Sequence, residues 1–272
     1  MNRPEQPQHL MPIADVQSRS DHRELAIDQV GIKGLRYPVT IADAGGEPQA
    51  TVAQCNVYVA LPADRKGTHM SRLVALLERR TAPGEPPLTV ANLRQLMDDL
   101  LLLLDAPGGH FEMAFPFFVR KIAPVSGVAS LLDYEAQWGA EVVDGRYRQT
   151  ITVAVPVTSL CPCSKEISEY GAHNQRSRIA VTAALRQPVF MAELIRIAED
   201  EASSELYGIL KRADEKYVTE RAYNNPRFVE DLVRGVAARL QQDARLAGFA
   251  VEAENFESIH NHSAYARIAR GL

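Results

Sequence analysis

The sequence predicts an α+β protein in which antiparallel sheets carry helices on one face. Long segments alternate apolar and polar residues and are separated by short turns, which is the pattern of antiparallel strands. Four further segments carry apolar residues at helical spacing. The order of strands, two helices and strands occurs twice, so we expect two copies of one α+β unit, although the letters themselves do not visibly repeat.

The elements of the first half are predicted from changes in the period of the apolar residues. Alternation through Val57, Val59 and Leu61 indicates a strand. Leucines at helical spacing then indicate two helices, the second with Thr89 as its N-cap and with a Pro-Gly-Gly stop that begins at Pro107. In order, we predict two strands in 24–43, a strand in 50–62, helices in 68–80 and 88–106, and strands in 110–124, 128–143 and 146–160.

The second half is predicted in the same way. A strand is expected in 176–185, helices in 191–212 and 226–248, and a last strand or hairpin in 249–270. Residues 1–24 are polar and contain prolines, so we predict a mobile N-terminal arm there. The predicted units are residues 25–146 and 147–272, fused tightly enough to form effectively one domain.

Composition narrows the functional classes. Of the 272 residues 46% are hydrophobic and 24% charged, which is ordinary for a soluble globular protein. The net charge of −4 argues against nucleic acid or an anionic membrane as a partner. No signal peptide and no apolar run of the roughly 18 residues needed for a membrane span is recognisable. With only Cys55, Cys161 and Cys163, we expect free thiols and a cytoplasmic location.

The segment SLCPCSKEISEYGAHNQRSR concentrates residues that ligate metals. Cys161 and Cys163 are too close for a Cys-x-x-Cys redox pair, and no second pair completes a structural Cys₄ zinc site. A site of one cysteine, one histidine such as His173 and one carboxylate stays open, and this mixture suits a catalytic divalent metal. His260 and His262 are predicted on one face of an extended strand, where a packed polar strand end is the competing interpretation.

Two basic clusters stand out against the acidic average. The first, in RKGTHMSR, lies where a strand precedes a helix, so its side chains would meet an anion beside backbone N–H groups. The second, in NQRSR, follows the cysteine segment. A solvated loop is the competing interpretation for each. The residues concerned are Lys66, His69, Ser71 and Arg72 in the first cluster, and Arg176 and Arg178 in the second.

Together with DEKYVTE, NNPRFVED and ESIHNHSA, these segments closely resemble the type IB GTP cyclohydrolases, also called the GTP cyclohydrolase IV family. The likeness runs in the same order from about residue 25 to the C-terminus. It implies a tunnelling fold, with two strand-and-helix units per subunit and a homotetramer around a central tunnel. It also implies the conversion of GTP and water to 7,8-dihydroneopterin triphosphate and formate, the first step of folate synthesis, with deazaguanine synthesis as a further possible pathway.

The resemblance also implies a ligand set. One divalent metal, zinc, manganese or ferrous iron, would be held by Cys161, His173 and Glu215, with Cys163 as the alternate cysteine. Such a metal lowers the pKa of bound water toward about 7 and so provides a nucleophile for C8 of guanine. Ring opening and loss of formate need proton transfers. The residues matched to these transfers are His260 and His262 as shuttles and Glu257 as the group that orients one of them.

Substrate recognition is implied as well. Glu230 matches the helix carboxylate that anchors the purine-like ring in tunnelling-fold enzymes, since a carboxylate accepts hydrogen bonds from both N1–H and the exocyclic amine of guanine. The residues implied to bind the triphosphate are Lys66, His69, Ser71, Arg72, Arg176 and Arg178. Because the sites of this family lie between subunits, these clusters are expected to come from different chains.

Three other functions remain open from the sequence. An archaeal relative opens GTP similarly with ferrous iron but releases a cyclic phosphate. A nitrile reductase of the same fold uses cysteine as a covalent nucleophile with NADPH, although its glutamate and lysine cofactor motif has no match here. A metal-binding assembly without catalysis would take up metal and leave GTP unchanged.

Overall fold

The computed structural model describes Gln17, residues 19–43 and residues 46–272. In this part of the chain, nine strands form one antiparallel sheet and six α-helices accompany it. The strands are β1 (Ile27–Ile41), β2 (Gln49–Leu61), β3 (Gly109–Ile122), β4 (Ala129–Val143), β5 (Arg146–Leu160), β6 (Asn174–Leu185), β7 (Ser204–Glu205), β8 (Leu246–Asn255) and β9 (Ala264–Arg270). The helices are α1 (Met70–Arg80), α2 (Leu93–Leu104), α3 (Pro162–Ile167), α4 (Met191–Glu201), α5 (Arg212–Asn224) and α6 (Val229–Gln241).

Strand order gives the sheet two distinct ends. Hydrogen-bonded neighbours follow in the order β1, β2, β3, β4, β5, β6, β8 and β9, and the short β7 pairs with β5. Neighbouring strands alternate in direction. The last residue of β5, Leu160, therefore lies at the level where β6 and β9 begin and where β8 ends. At the opposite end, β2 finishes at Leu61 beside the start of β3. We refer to these as the Leu160 end and the Leu61 end.

The apolar core lies on one face of the sheet. Val57 and Val59 are 1% exposed and Leu61 is 5% exposed, which confirms the predicted alternation in β2. Trp138 is fully buried and meets Phe115 edge to face, with 5.0 Å between ring centroids. One buried cluster contains residues from β1 to β6, from β8 and from helices α1, α2, α4 and α6, so the two halves of the chain share a core.

The first strand differs from prediction. Residues 24–43 were predicted to hold two strands, but Ile27–Ile41 form one, with register shifts on either side of Gly31. Gly34 has φ +72°, a conformation that glycine adopts without steric cost, and it lies inside the second shift. Gly34 therefore makes a bulge in a continuous strand instead of ending it.

The helices of the second half also differ from prediction. The helix predicted over 191–212 ends at Glu201, because the next residues are engaged by β5. Ser203 Oγ accepts a hydrogen bond from Leu160 N at 3.0 Å, and β7 pairs with Val157 and Thr158. Helices α3 and α5 had no predicted counterpart.

Other local predictions agree with the structure in part or in full. Thr89, predicted as the N-cap of the second helix, instead caps the short 3₁₀ turn Val90–Asn92 that leads into α2. Helix α2 ends at Leu104, where Asp105 has φ +48°, just before the predicted Pro-Gly-Gly stop. The C-terminal segment forms the hairpin β8–β9.

The two halves have related element orders. Two strands, two helices and two strands make up β1 to β4, and β5 and β6 are followed by helices and then by β8 and β9. Residues 1–16 and 18 of the predicted arm lie outside the described residues. The next part of that segment is bonded to the fold, with Lys66 N donating to Arg19 O and Asp21 N donating to Asp64 O, both at 3.0 Å. Within the described chain, no helix combines the length and apolar character needed to cross a membrane.

Candidate active site

Cys161 lies directly after β5 and is the N-cap of α3. Pro162 occupies the first helical position, where its fixed φ favours the start of a helix and its missing N–H costs nothing. Cys161 Sγ accepts a hydrogen bond from Ser164 N at 3.5 Å and stays partly exposed, whereas Cys163 is exposed on the helix. Cys55 is buried in the core, where burial raises the pKa of its thiol to about 11, so Cys55 belongs to the packing.

His173 is held beside Cys161 by the backbone. Cys161 N donates to His173 O at 3.1 Å, and Ser164 Oγ accepts from His173 N at 3.2 Å. These bonds close the loop between β5 and β6 across the Leu160 end. The cysteine and histidine that the sequence segment offers are therefore brought together.

A buried polar chain orients the His173 ring. His173 Nδ1 lies 3.0 Å from Gln175 Oε1, and Gln175 Nε2 donates to Ser159 Oγ at 2.8 Å. With the amide nitrogen assigned to Ser159, the amide oxygen is the acceptor, and this network assigns the proton of His173 to Nδ1. Nε2 then keeps a lone pair for a ligand. The chain continues from Ser159 to Ser177 and Asn255, both buried.

Gln175 was not among the predicted site residues. Alternation along β6 places it and Ser177 on the core face, and a polar residue predicted in a core needs a partner. That signal was present in the sequence, but it does not say which partner is involved.

Glu215 lies exposed in the first turn of α5. Its neighbour Asp214 is fully buried. Among the described residues, no group of three or more His, Cys, Asp or Glu side chains is arranged to hold a metal ion. One chain thus brings Cys161 and His173 together without placing Glu215 in a three-ligand group with them.

The two C-terminal histidines were predicted on a strand, and this is wrong. His260 and His262 lie in the exposed loop between β8 and β9, because β8 ends at Asn255 and β9 begins only at Ala264. Their rings still stack, with centroids 5.2 Å apart. In the same loop Glu257 is half-buried, and Ser258 Oγ lies 3.3 Å from His173 Nδ1, which ties the loop to the Cys161 site.

Glu230 also belongs to the Leu160 end. It lies exposed in the first turn of α6, where a carboxylate is favoured by the helix dipole. Arg227 N donates to Leu160 O at 3.0 Å, which holds the segment before α6 beside Cys161. Arg227 Nε is buried and has no hydrogen-bond partner in the described chain, a second group that sequence reasoning did not identify.

Arg176 and Arg178 are exposed near the start of β6. Both line a cleft of about 300 Å³ together with Phe256. Arg178 pairs with Glu135 at 2.7 Å, and since both side chains are largely exposed the pair contributes little stability. These two arginines therefore lie at the same end of the sheet as Cys161.

The first basic cluster lies at the other end. His69 is the N-cap of α1, and Arg72 lines a cleft of about 240 Å³ there. Lys66 and Ser71 are exposed nearby. Strand β5 has 15 residues and runs almost the full length of the sheet, so at about 3.3 Å per residue the Leu61 and Leu160 ends lie roughly 45 Å apart. Within one chain this cluster does not meet Cys161.

Comparisons with known proteins identify relatives that match nearly the whole chain. The family model described as type I GTP cyclohydrolase folE2 matches residues 13–266. GTP cyclohydrolase FolE2 of Paraburkholderia xenovorans is 58% identical over 264 residues, covering 97% of this chain and 96% of that protein. GTP cyclohydrolase FolE2 of Methylobacillus flagellatus is 54% identical over 270 residues, covering 99% and 98%.

Among solved structures the similarity is limited to the fold. Urate oxidase from Bacillus sp. TB-90 superposes with a TM-score of 0.54 at 9% identity, over 90% of this chain and 99% of that one. Uricase from Arthrobacter globiformis gives 0.50 at 9% identity, over 90% and 93%. The sequence matches are far stronger and span nearly the whole chain. They show that the chain belongs to the type I GTP cyclohydrolase FolE2 family.

Proposed function

We propose that this protein converts GTP and water to 7,8-dihydroneopterin triphosphate and formate, as the first step of tetrahydrofolate biosynthesis. The observation that carries the proposal is the Cys161–His173 pair, held at the Leu160 end by backbone bonds and oriented by Gln175. It lies in a chain that matches GTP cyclohydrolases over almost its full length.

The donor groups suit one divalent metal, zinc, manganese or ferrous iron. Cys161 has a partly exposed thiol and His173 has a free Nε2 lone pair, which are ligands that all three metals accept. We propose that Glu215 completes the set in the assembled enzyme, with Cys163 as the alternate cysteine. When bound, the metal supplies Lewis acidity that lets water attack C8 of guanine at neutral pH.

Proton transfer falls to the loop between β8 and β9. His260 and His262 are exposed there, and Ser258 holds the loop against His173. An imidazole ring carries one donor and one acceptor nitrogen, so these rings can accept and return protons during ring opening and formate release. We propose that Glu257 orients one of them. A positioned acid or base of this kind typically contributes about 10² to 10⁴ in rate.

Guanine recognition is assigned to Glu230. Its carboxylate, beside the segment that Leu160 fixes, can accept hydrogen bonds from N1–H and the exocyclic amine of guanine. Adenine presents an acceptor at N1 and would leave the carboxylate unpaired. Arg176 and Arg178, at the same end of the sheet, are proposed to meet the anionic part of GTP.

The remaining triphosphate contacts are proposed to come from a neighbouring subunit. Lys66, His69, Ser71 and Arg72 lie at the Leu61 end, too far along the strands to reach a nucleotide at Cys161 of the same chain. A site between subunits removes this conflict. We accordingly propose a homotetramer of tunnelling-fold subunits, each with tandem units over 25–146 and 147–272. A thiol ligand fits a reducing cytoplasm.

The test begins with the metal-stripped full-length protein. Zinc, manganese or ferrous iron is restored separately, GTP is added, and both formate and the fluorescent pterin obtained after oxidation and dephosphorylation are measured. We expect both products with metal, loss of both in Cys161→Ala, and retained activity in Cys163→Ala. Activity that survives in Cys161→Ala and is lost in Cys163→Ala would exchange the two ligands.

Product identity separates the competing functions. Formate accompanied by a cyclic phosphate would assign the archaeal type of reaction. Metal uptake without formate would contradict the cyclohydrolase proposal, and a thioimide adduct with a nitrile substrate and NADPH would point to the reductase.

A further inference from the structure

Helix α5 is attached to the protein mainly by polar contacts. Only Asp214 and Ala222 are buried among its thirteen residues, and Tyr217 and Tyr223 remain 44% and 40% exposed. A helix with so little apolar contact has no broad hydrophobic stripe to fix its rotation about its axis. Its orientation is set by the few side chains that are bonded to the rest of the fold.

Asp214 makes the most extensive of these contacts. Its Oδ1 accepts hydrogen bonds from Val125 N and Ser126 N, both at 2.8 Å. Its Oδ2 accepts from Ser126 Oγ at 2.6 Å and from Lys211 N at 2.8 Å. The side chain is fully buried, so both oxygens are satisfied by the protein, with two backbone donors and a hydroxyl in the turn between β3 and β4.

The opposite end of α5 is fastened separately. Lys165 Nζ, from α3, donates to Tyr223 O at 2.5 Å, and Asn225 Nδ2 donates to Ala202 O at 2.8 Å. Helix α5 therefore spans from the β3–β4 turn to the helix that begins at Cys161. Its first turn depends on Asp214 and its last turn on the contacts near the cysteine site.

We propose that Asp214 is a positioning residue that fixes the direction in which the Glu215 carboxylate projects. Successive residues of an α-helix are about 100° apart around the axis, so a buried Asp214 defines where its neighbour points. The inference rests on the proposed role of Glu215 as a metal ligand. It assigns to Asp214 a contribution to metal affinity, although Asp214 itself contacts no metal.

The experiment compares variants of the full-length metal-stripped protein. Asp214→Asn keeps the size of the side chain but turns an amide N–H₂ toward backbone donors, and Ser126→Ala removes one of the four bonds. Asp43→Asn is the matched control, because Asp43 is also a buried carboxylate that accepts from a helix start, at Met191 N and Ala192 N. Glu215→Gln reports the ligand assignment itself.

Zn²⁺ affinity is measured by competition with a chromophoric chelator, and Co²⁺ absorption reports the coordination number. We expect Asp214→Asn to weaken Zn²⁺ binding about tenfold or more, as removal of outer groups around metal ligands does, with altered Co²⁺ ligand-field bands. Ser126→Ala should weaken it about two- to fivefold. Asp43→Asn should lower Tm and leave affinity unchanged.

The outcomes distinguish the positioning role of Asp214 from the proposed role of Glu215 as a metal ligand. If Glu215→Gln weakens binding while Asp214→Asn and Ser126→Ala bind like the parent, the positioning role is overturned and the ligand assignment stands. If Glu215→Gln has no effect, the ligand assignment fails and the positioning role fails with it. Equal weakening in Asp43→Asn would show general destabilisation and would also overturn the inference. Should Asp214→Asn not fold, Ser126→Ala decides by the same criterion.

Discussion

Replacing Lys121 with methionine should remove a large part of the stability of the fold. Lys121 lies on β3 with a side chain only 9% exposed, and it reaches two carboxylates of the second half. Its Nζ donates to Glu199 at 2.7 Å and also to Glu205. Tyr134 OH donates to the other oxygen of Glu199 at 2.6 Å. Burial raises the pKa of Glu199 above its usual range, which shows how unfavourable this site is for an isolated charge.

The magnitude follows from what the substitution leaves behind. Methionine fills the volume of the lysine stem but leaves two carboxylates without their shared cation, and breaking a buried ion pair in this way costs about 3–5 kcal/mol. That is a large fraction of the roughly 5–15 kcal/mol that stabilises a typical domain. Lys216→Met is the matched control, because Lys216 pairs with Glu220 on the surface at 72% and 59% exposure. It should cost at most about 0.5 kcal/mol.

Urea unfolding followed by circular dichroism measures both variants, with the free energy taken from the midpoint at constant slope. Adding Glu199→Gln to Lys121→Met should recover part of the loss, since one unpaired charge disappears. A Lys121→Met variant as stable as Lys216→Met would refute the reasoning. So would a double variant in which the two losses simply add.

Three further results are expected. Gln175→Leu should weaken Zn²⁺ binding about 10- to 100-fold, because His173 loses the acceptor that fixes its tautomer. Gln149→Leu, at the Leu61 end, is the control and should leave Zn²⁺ binding unchanged. Equal Zn²⁺ affinities of the two variants in a chelator competition would contradict this prediction. Leu100→Ala should lower the free energy of unfolding in urea by about 2–5 kcal/mol, because Leu100 is fully buried. Leu102→Ala, at an 84% exposed position, should change it by no more than about 0.5 kcal/mol. Similar losses in the two variants would argue against the core as described. Hydrogen bonds from Arg245 lower the pKa of Asp243, so the stabilising contribution of Asp243 is complete above the unfolded pKa of about 3.9 and is lost as the pH falls through the folded value. Asp243→Asn should therefore flatten the decline in stability below about pH 4. An unchanged profile of stability against pH would count against this pair.

Much of the fold was predictable because apolar periodicity follows directly from which face of an element is buried. Val57, Val59 and Leu61 alternate in the sequence and are buried together in β2. The same rule fails for α5, where the buried residue is Asp214 and not an apolar side chain. It also fails after Glu201, where pairing with β5 ends the helix although the apolar spacing predicted that it continues to residue 212.

The site was predictable as a set of residue types but not as a geometry. Cys161 and His173 share one segment, so a short loop was enough to bring them together. Gln175 was missed because its role depends on Ser159, a partner on the neighbouring strand. The histidine loop was assigned to a strand because the sequence does not mark where β8 and β9 stop pairing.

The sequence by itself determined the class of the fold, the residue types of the candidate metal site and the family. These depend on local spacing and on motifs whose members are close in the chain. Only the tertiary structure decided which end of the sheet each group occupies, and it separated Lys66 from Cys161 while joining Ser258 to His173. The physical reason is that strand direction and register place residues far apart in sequence side by side, or similar residues at opposite ends, and no local pattern contains that information.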